Sequence, residues 1–87
     1  MNSDSLFIKA TNDIKEIKNI NNDTLLTLYA NFKQVTVGNC NISHPPIFKF
    51  KDVAKYNSWK NLYGTSKLKA QVNYIKLVKS ILEKNEI

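Results

Sequence analysis

Tyr29, Phe32 and Lys33 stand three and four residues apart in the run YANFKQVTVG, residues 29–38. On a helix that spacing makes them neighbours on one side. Two rings and a cation so arranged suit a ligand that is both flat and anionic. Ring faces stack on a nucleobase, and an ammonium neutralises a phosphate as a point charge. Further lysines follow: Lys51 and Lys55 are one turn apart, and Lys15 lies in the first segment. Tyr74 adds a ring near the end of the chain. Any one of these rings taken alone is more often core packing. With unopposed lysines around them they describe a ring-and-phosphate site.

The other reactive side chains make a poorer case. The chain has one histidine and one cysteine, His44 and Cys40. A Cys–His pair needs a third group to orient it, and none is suggested. Two such ligands do not fill a structural zinc site, which takes four. No close carboxylate pair and no glycine-rich phosphate loop stand out. The expectation is a binding protein, not an enzyme, with no metal and no cofactor.

Composition narrows the partner. The 87 residues are 43% hydrophobic, with two glycines and two prolines. That favours one small, packed, mostly helical domain over 1–87. A core of this size leaves little room for a deep cavity, so a ligand is expected in a groove between helices. The net charge is +6, and all thirteen basic residues are lysine. Residues 33–79 hold nine lysines against Asp52 alone, whereas the flanking parts are slightly acidic. The positive charge thus begins at Lys33, which points to an anionic partner. The N-terminal run MNSDSLFIKA carries no long apolar stretch and no basic leader pattern. No signal peptide or membrane span is read from it, and a cytoplasmic setting is expected.

Four periodic stripes position these residues. Phe7, Ala10, Ile14 and Ile17 step by three and four, predicting a helix over 4–18. An asparagine-rich turn follows at 19–22. Leu25, Leu28, Tyr29, Phe32, Val35 and Thr36 share the broad face of a helix over 22–37, capped by Asn22 or Asp23 and stopped by Gly38. His44-Pro45-Pro46 forbids helix within a long loop, 39–51. Its apolar Ile42, Ile47, Phe48 and Phe50 are expected to pack on the body. Asp52 is expected to cap a helix over 52–63 that buries Val53, Tyr56, Trp59 and Leu62 or Tyr63. Thr65 or Ser66 caps the last helix, 66–84. There Leu68, Val72, Ile75, Val78 and Leu82 form one stripe, and Ala70, Tyr74, Leu77 and Ile81 widen it. Four helices with one long connection make an all-α bundle.

The run Tyr29-Ala30-Asn31-Phe32-Lys33-Gln34-Val35-Thr36-Val37-Gly38 closely resembles the YxxYKQATxG signature of acyl-CoA-binding proteins. Three further pieces follow in order. Phe50-Lys51-Asp52-Val53-Ala54-Lys55-Tyr56-Asn57-Ser58-Trp59 resembles the family's FKxxAKWxAW. Gly64-Thr65-Ser66-Lys67 resembles its GTSK helix start, and Ala70 with Tyr74-Ile75 its AxxxYI. Phe7 to Lys18 is a looser match to the first helix. Four ordered pieces over nearly the whole chain are specific where any one would be weak.

The resemblance implies a four-helix bundle of the acyl-CoA-binding type that holds medium- and long-chain fatty acyl-CoA without reacting with it. The resemblance also implies a role as a carrier and pool-former in lipid metabolism. On that resemblance Tyr29, Lys33 and Lys55 hold the ribose 3′-phosphate and Phe32 stacks on adenine. Tyr74 and Lys15 complete the nucleotide site, with Lys51 near it. Leu25 and Leu26 touch the acyl groove. The chain departs from the pattern where Phe32 replaces a tyrosine and Tyr56 a tryptophan. It departs also at His44-Pro45-Pro46, where Arg-Pro-Gly is usual, and at Lys49, where an acid is common. A monomer is expected, and docking on acyl-CoA-using enzymes or membrane surfaces stays open. The alternative from charge alone is a basic nucleic-acid-binding helical module.

Overall fold

The computed structural model describes residues 3–85. Its four helices are α1 (Ser3–Ile14), α2 (Asn22–Thr36), α3 (Phe50–Lys60) and α4 (Lys67–Asn85). α4 packs against both α1 and α2, and α2 also packs against α3. Two central helices, α2 and α4, therefore carry one outer helix each. The body measures 40 × 28 × 15 Å. Its short axis is little more than one helix with its side chains, about 10–12 Å across. Such a shape offers open grooves, not an enclosed chamber. No described helix is long and apolar enough to cross a membrane.

The apolar core joins α1, α2 and α4. Phe7, Ala10, Leu28, Tyr74, Val78 and Ile81 are buried together. Ile14, Ile17, Ile20, Val35, Ile75, Leu77 and Leu82 pack around them. Full burial of one large apolar side chain contributes about 1.5–3 kcal/mol.

A polar junction does the same for α3. Gln34, 1% exposed, donates from Nε2 to Asn39 Oδ1 at 2.9 Å and to the Thr65 carbonyl at 2.8 Å. Asn39 Oδ1 also accepts the Gly64 N–H at 2.8 Å. Trp59, 1% exposed, donates its indole N–H to the Gly38 carbonyl at 2.8 Å. The end of α2, the end of α3 and the turn before α4 are thus pinned together. Gly38 and Gly64 have φ of +103° and +90°. Both are left-handed positions where a side chain is strained.

Several expectations need correction. Helix 1 ends at Ile14 and not at residue 18. The N–H groups of Lys15, Glu16 and Ile17 bond three residues back, to Asn12, Asp13 and Ile14, so the helix tightens into turns. Asn19, at φ +64°, then makes continuation impossible. Lys15 accordingly sits in a turn. α2 is capped by Asn21, whose side chain accepts the Thr24 N–H at 2.8 Å, and not by Asn22 or Asp23. α3 starts two residues early, after Lys49, with no side-chain cap. Asp52 lies in its first turn. The loop spans 37–49.

Burial also differs from the stripes. α2 buries Leu28, Ala30, Asn31 and Gln34, while Leu25 and Thr36 are exposed. The helix faces α4 on one side and α3 on another, so its buried surface is wider than its apolar stripe. In α4 the deep positions are Ala70, Gln71, Tyr74, Val78 and Ile81, and Leu68 is exposed. The widening set is therefore the deeper one. Leu62 is half-buried and Tyr63 exposed. Ile42, Ile47, Phe48 and Phe50 do not pack on the body; all four are exposed. Ser66 caps α4 as anticipated, accepting the Lys69 N–H at 3.0 Å.

Asn39 serves two donors, so its loss leaves the Gly64 N–H without that acceptor. Asn39 is exposed, so water can replace part of what is lost, and Asn39→Ala is expected to lower stability in urea unfolding by roughly 0.5–1.5 kcal/mol. Asn41→Ala, exposed like Asn39 but outside the hydrogen bonds of the junction, should change it by less than about 0.5 kcal/mol. Equal effects would remove the junction from the stability account.

Candidate functional site

The first hollow, ≈ 460 Å³, opens where the end of α1, α2 and α4 meet. Ile14, Ile17, Ile20, Leu25 and Leu28 give it an apolar floor, and Lys15, Tyr29, Phe32 and Tyr74 complete it. The i, i+3 spacing puts Tyr29 and Phe32 on one side of α2, and α4 brings Tyr74 to them from far along the chain. Behind these rings stands Phe7 of α1. It stacks on Phe32 at 6.0 Å between centroids and 26° between planes. It meets Tyr74 edge-on at 5.1 Å and 65°. Phe32 and Tyr74 are 6.3 Å apart. The triangle holds Phe32 in place while leaving it 38% exposed, so a planar group has a ring face to lie on.

A second hollow, ≈ 400 Å³, lies between α2 and the start of α3. Leu25, Leu26, Phe50 and Ala54 line it, with Asn22, Lys51 and Lys55. Lys51 and Lys55 are one α3 turn apart, which places both ammonium stems along the same wall. Leu25 belongs to both hollows. At the border Lys55 Nζ lies 5.5 Å from the centre of the Tyr29 ring. A hollow walled by three rings and one lined by Leu25, Leu26, Phe50 and Ala54 thus adjoin at Leu25, with a cation over a phenol beside it.

Of the residues selected from sequence, Lys15, Tyr29, Phe32 and Tyr74 come together in the first hollow. Leu25, Leu26, Lys51 and Lys55 come together in the second. Lys33 lines neither. Its ammonium sits 4.9 Å from the centre of the Trp59 ring, one turn beyond Tyr29 on α2. Among the described residues the ion pair formed is Lys9–Asp13, at 2.6 Å. Among the described residues, the ammonium groups of Lys15, Lys33, Lys51 and Lys55 face no carboxylate at bonding distance.

Burial raises the pKa of Tyr29, with smaller contributions from Cys40 and Asp52. Burial alone raises that of Tyr74. Both phenols therefore stay neutral through the physiological range and keep their O–H donors. They add no negative charge beside the lysines. His44 has other work: its Nδ1 pairs with the Pro45 carbonyl at 2.6 Å, and its ring meets Tyr56 edge-on at 5.0 Å. No three His, Cys, Asp or Glu side chains among the described residues are grouped to hold a metal.

Sequence reasoning missed Ile14, Ile17, Ile20 and Leu28 in the floor of the first hollow, and Asn22, Phe50 and Ala54 in the second. Ile14 and Ile17 read as ordinary core, and Ile20 falls in an aperiodic turn. Phe7 carried a signal, its place on the α1 stripe, but nothing in the pattern pairs it with Phe32. Phe50 read as a loop residue because its helix was placed two residues late.

A family model described as acyl-CoA-binding protein matches residues 4–78. The acyl-CoA-binding protein of Dictyostelium discoideum is 43% identical over 79 residues, covering 90% of this chain and 94% of that protein. The acyl-CoA-binding domain-containing protein 6 homolog of the same organism is 41% identical over 71 residues. This chain spans only 25% of that longer relative, with 82% of its own residues aligned. The crystal structure of Oryza sativa acyl-CoA-binding protein 2 superposes with a TM-score of 0.91 at 36% identity, covering 95% of this chain and 93% of that one.

The raised phenols give a direct check. In alkaline titration followed by phenolate absorbance, Tyr29→Phe and Tyr74→Phe should each delete a component that titrates above the ordinary value of about 10. The unfolded chain releases those protons first, so folding stability should fall as pH rises through that range. Deletion of a component at the ordinary value by either variant would contradict the burial argument.

Proposed function

The chain belongs to the acyl-CoA-binding protein family, and we propose that it binds medium- and long-chain fatty acyl-CoA non-covalently across its two joined hollows. It serves as a monomeric, single-domain carrier and pool-former in the cytoplasm, and does no chemistry on the thioester. The observation that carries the reading is the sequence of surfaces along the groove. Rings come first, then cations, then aliphatic side chains. An acyl-CoA presents a base, then phosphates, then an alkyl chain.

The adenine lies in the first hollow against Phe32, with Tyr74 and the Lys15 stem closing its edges. The phosphates lie at the border, where Lys55 already stands over Tyr29. The 3′-phosphate takes the Tyr29 O–H and the ammonium groups of Lys33 and Lys55. Lys33 reaches it by leaving the Trp59 ring, a modest exchange because a partly solvated cation–π contact is worth about 0.5–1 kcal/mol. Lys51 adds charge on the α3 side. The alkyl chain lies in the second hollow on Leu25, Leu26 and Ala54.

The head and the tail have different tasks. Each methylene removed from water contributes about 0.8 kcal/mol, so the chain sets affinity up to the length of the groove. Rings and lysines set orientation and favour acyl-CoA over free fatty acids, which carry no base or phosphates to meet them. Phe32 keeps the stacking face of the family's usual tyrosine but has no phenol oxygen, so base binding here rests on the ring alone. The nucleic-acid alternative finds no support in the family match.

Calorimetric titration tests the reading. Long-chain acyl-CoA is expected to bind far more tightly than free CoA, and free fatty acid weakly. Equal affinity for free CoA and acyl-CoA would defeat it. Lys33→Ala and Lys55→Ala should each weaken binding by about 1.5–3 kcal/mol, and more at low salt, where attraction is less screened. Losses that do not change with salt would argue against phosphate contacts. Ligand should also alter Trp59 emission, and Lys33→Ala should reduce that response.

A further inference from the structure

The loop before α3 ends in a turn of unusual chemistry. The Lys49 N–H bonds to the Pro46 carbonyl at 3.0 Å, closing four residues with Ile47 and Phe48 at the tip. Turn tips are normally Gly, Asn, Asp or Ser, which tolerate the geometry and the water. Here Ile47 is 80% exposed and Phe48 72%, and Phe50 follows at 80%. Single exposed hydrophobes are ordinary. Three large ones within four residues are not. The tip is also held firmly. Pro45-Pro46 stiffens its approach, the His44 ring is seated on Tyr56 at 5.0 Å, and the Val53 N–H bonds to the Lys49 carbonyl at 2.9 Å as α3 begins.

Its surroundings choose the partner. Residues 37–48 carry no lysine and no acid, and residues 49–60 carry Lys49, Lys51, Lys55 and Lys60 against Asp52 alone. An apolar tip followed directly by Lys49 and by the lysines of α3 complements a surface that is apolar beneath and anionic above. We propose that the Pro46–Lys49 turn docks this protein on anionic lipid bilayers. Ile47 and Phe48 enter the boundary between headgroups and acyl chains, and Lys49 and its neighbours meet the lipid phosphates. Phe50 lines the second hollow, so docking sets that hollow's mouth at the bilayer. On the acyl-CoA reading, a chain then passes between membrane and groove with little exposure to water.

The test uses the whole chain without acyl-CoA, so it stands or falls apart from the ligand reading. It is sedimented with vesicles of phosphatidylcholine alone and of phosphatidylcholine mixed with phosphatidylserine. Binding is expected to the mixed vesicles, weaker to the neutral ones, and weaker in high salt. Ile47→Ser with Phe48→Ser should lower partitioning on the mixed vesicles about tenfold, with thermal midpoint and acyl-CoA affinity unchanged. Phe48→Trp should retain binding and add an emission component that shifts to the blue on vesicles. Absence of binding to mixed vesicles, or equal binding by the serine variant, would overturn the proposal. A tip-dependent dimer in gel filtration without vesicle binding would overturn it too, in favour of a second copy of this chain.

Discussion

Gln34 sits at the one place where three of the four helices must agree. Its side-chain amide reaches both Asn39 and the Thr65 carbonyl, and its neighbour Lys33 rests on Trp59. Trp59 in turn holds the Gly38 carbonyl. A buried amide in an apolar domain is costly unless it is hydrogen-bonded; here Nε2 makes two bonds, while Oε1 has no partner among the described residues. Those bonds require α2, the loop and the α3–α4 turn to meet in one arrangement. That arrangement sets α3 beside α2 at the separation that opens the second hollow. The groove is therefore a consequence of how a polar junction, and not an apolar core, positions the outer helix.

The other wall is built by more ordinary means. Phe7, Leu28, Tyr74 and Val78 bury apolar surface together, and the same packing stacks Phe7 behind Phe32. Stability and recognition overlap in this cluster: Tyr74 is buried in the core and also lines the first hollow. On the second side they are separated. Phe50, Leu25 and the lysines are exposed and are available to a ligand without disturbing the core. Binding energy from the alkyl chain then adds to the fold without demanding that the body open.

Much of this was legible beforehand, and the reasons are specific. The 3.6-residue stripes of α2, α3 and α4 placed these helices to within a few residues, because amphipathic periodicity survives tertiary packing. Tyr29, Phe32 and Lys33 marked one wall because their spacing alone makes them neighbours. Tyr74 and Lys15 entered as a ring and a cation by residue type and took their place in the site from the resemblance, since local periodicity does not link them. Illegible were features that depend on partners. Asn31 and Gln34 are buried because α2 faces two helices, a fact no single stripe carries. The exposure of Ile47, Phe48 and Phe50 contradicts their hydropathy, and only the course of the loop reveals it. The end of α1 was missed because Asn19 breaks the helix after a tightening that apolar spacing does not record.

The account stands on one ligand divided between two hollows that share Leu25. The most direct measurement is isotope-filtered NMR on the protein with a bound long-chain acyl-CoA, reading through-space contacts from ligand protons to protein side chains. Adenine protons should contact Phe32 and Tyr74, and chain methylenes should contact Leu26 and Ala54, with Leu25 seen from near the junction. Chain methylenes beside Phe32 and Tyr74, with adenine in the hollow between α2 and α3, would contradict it.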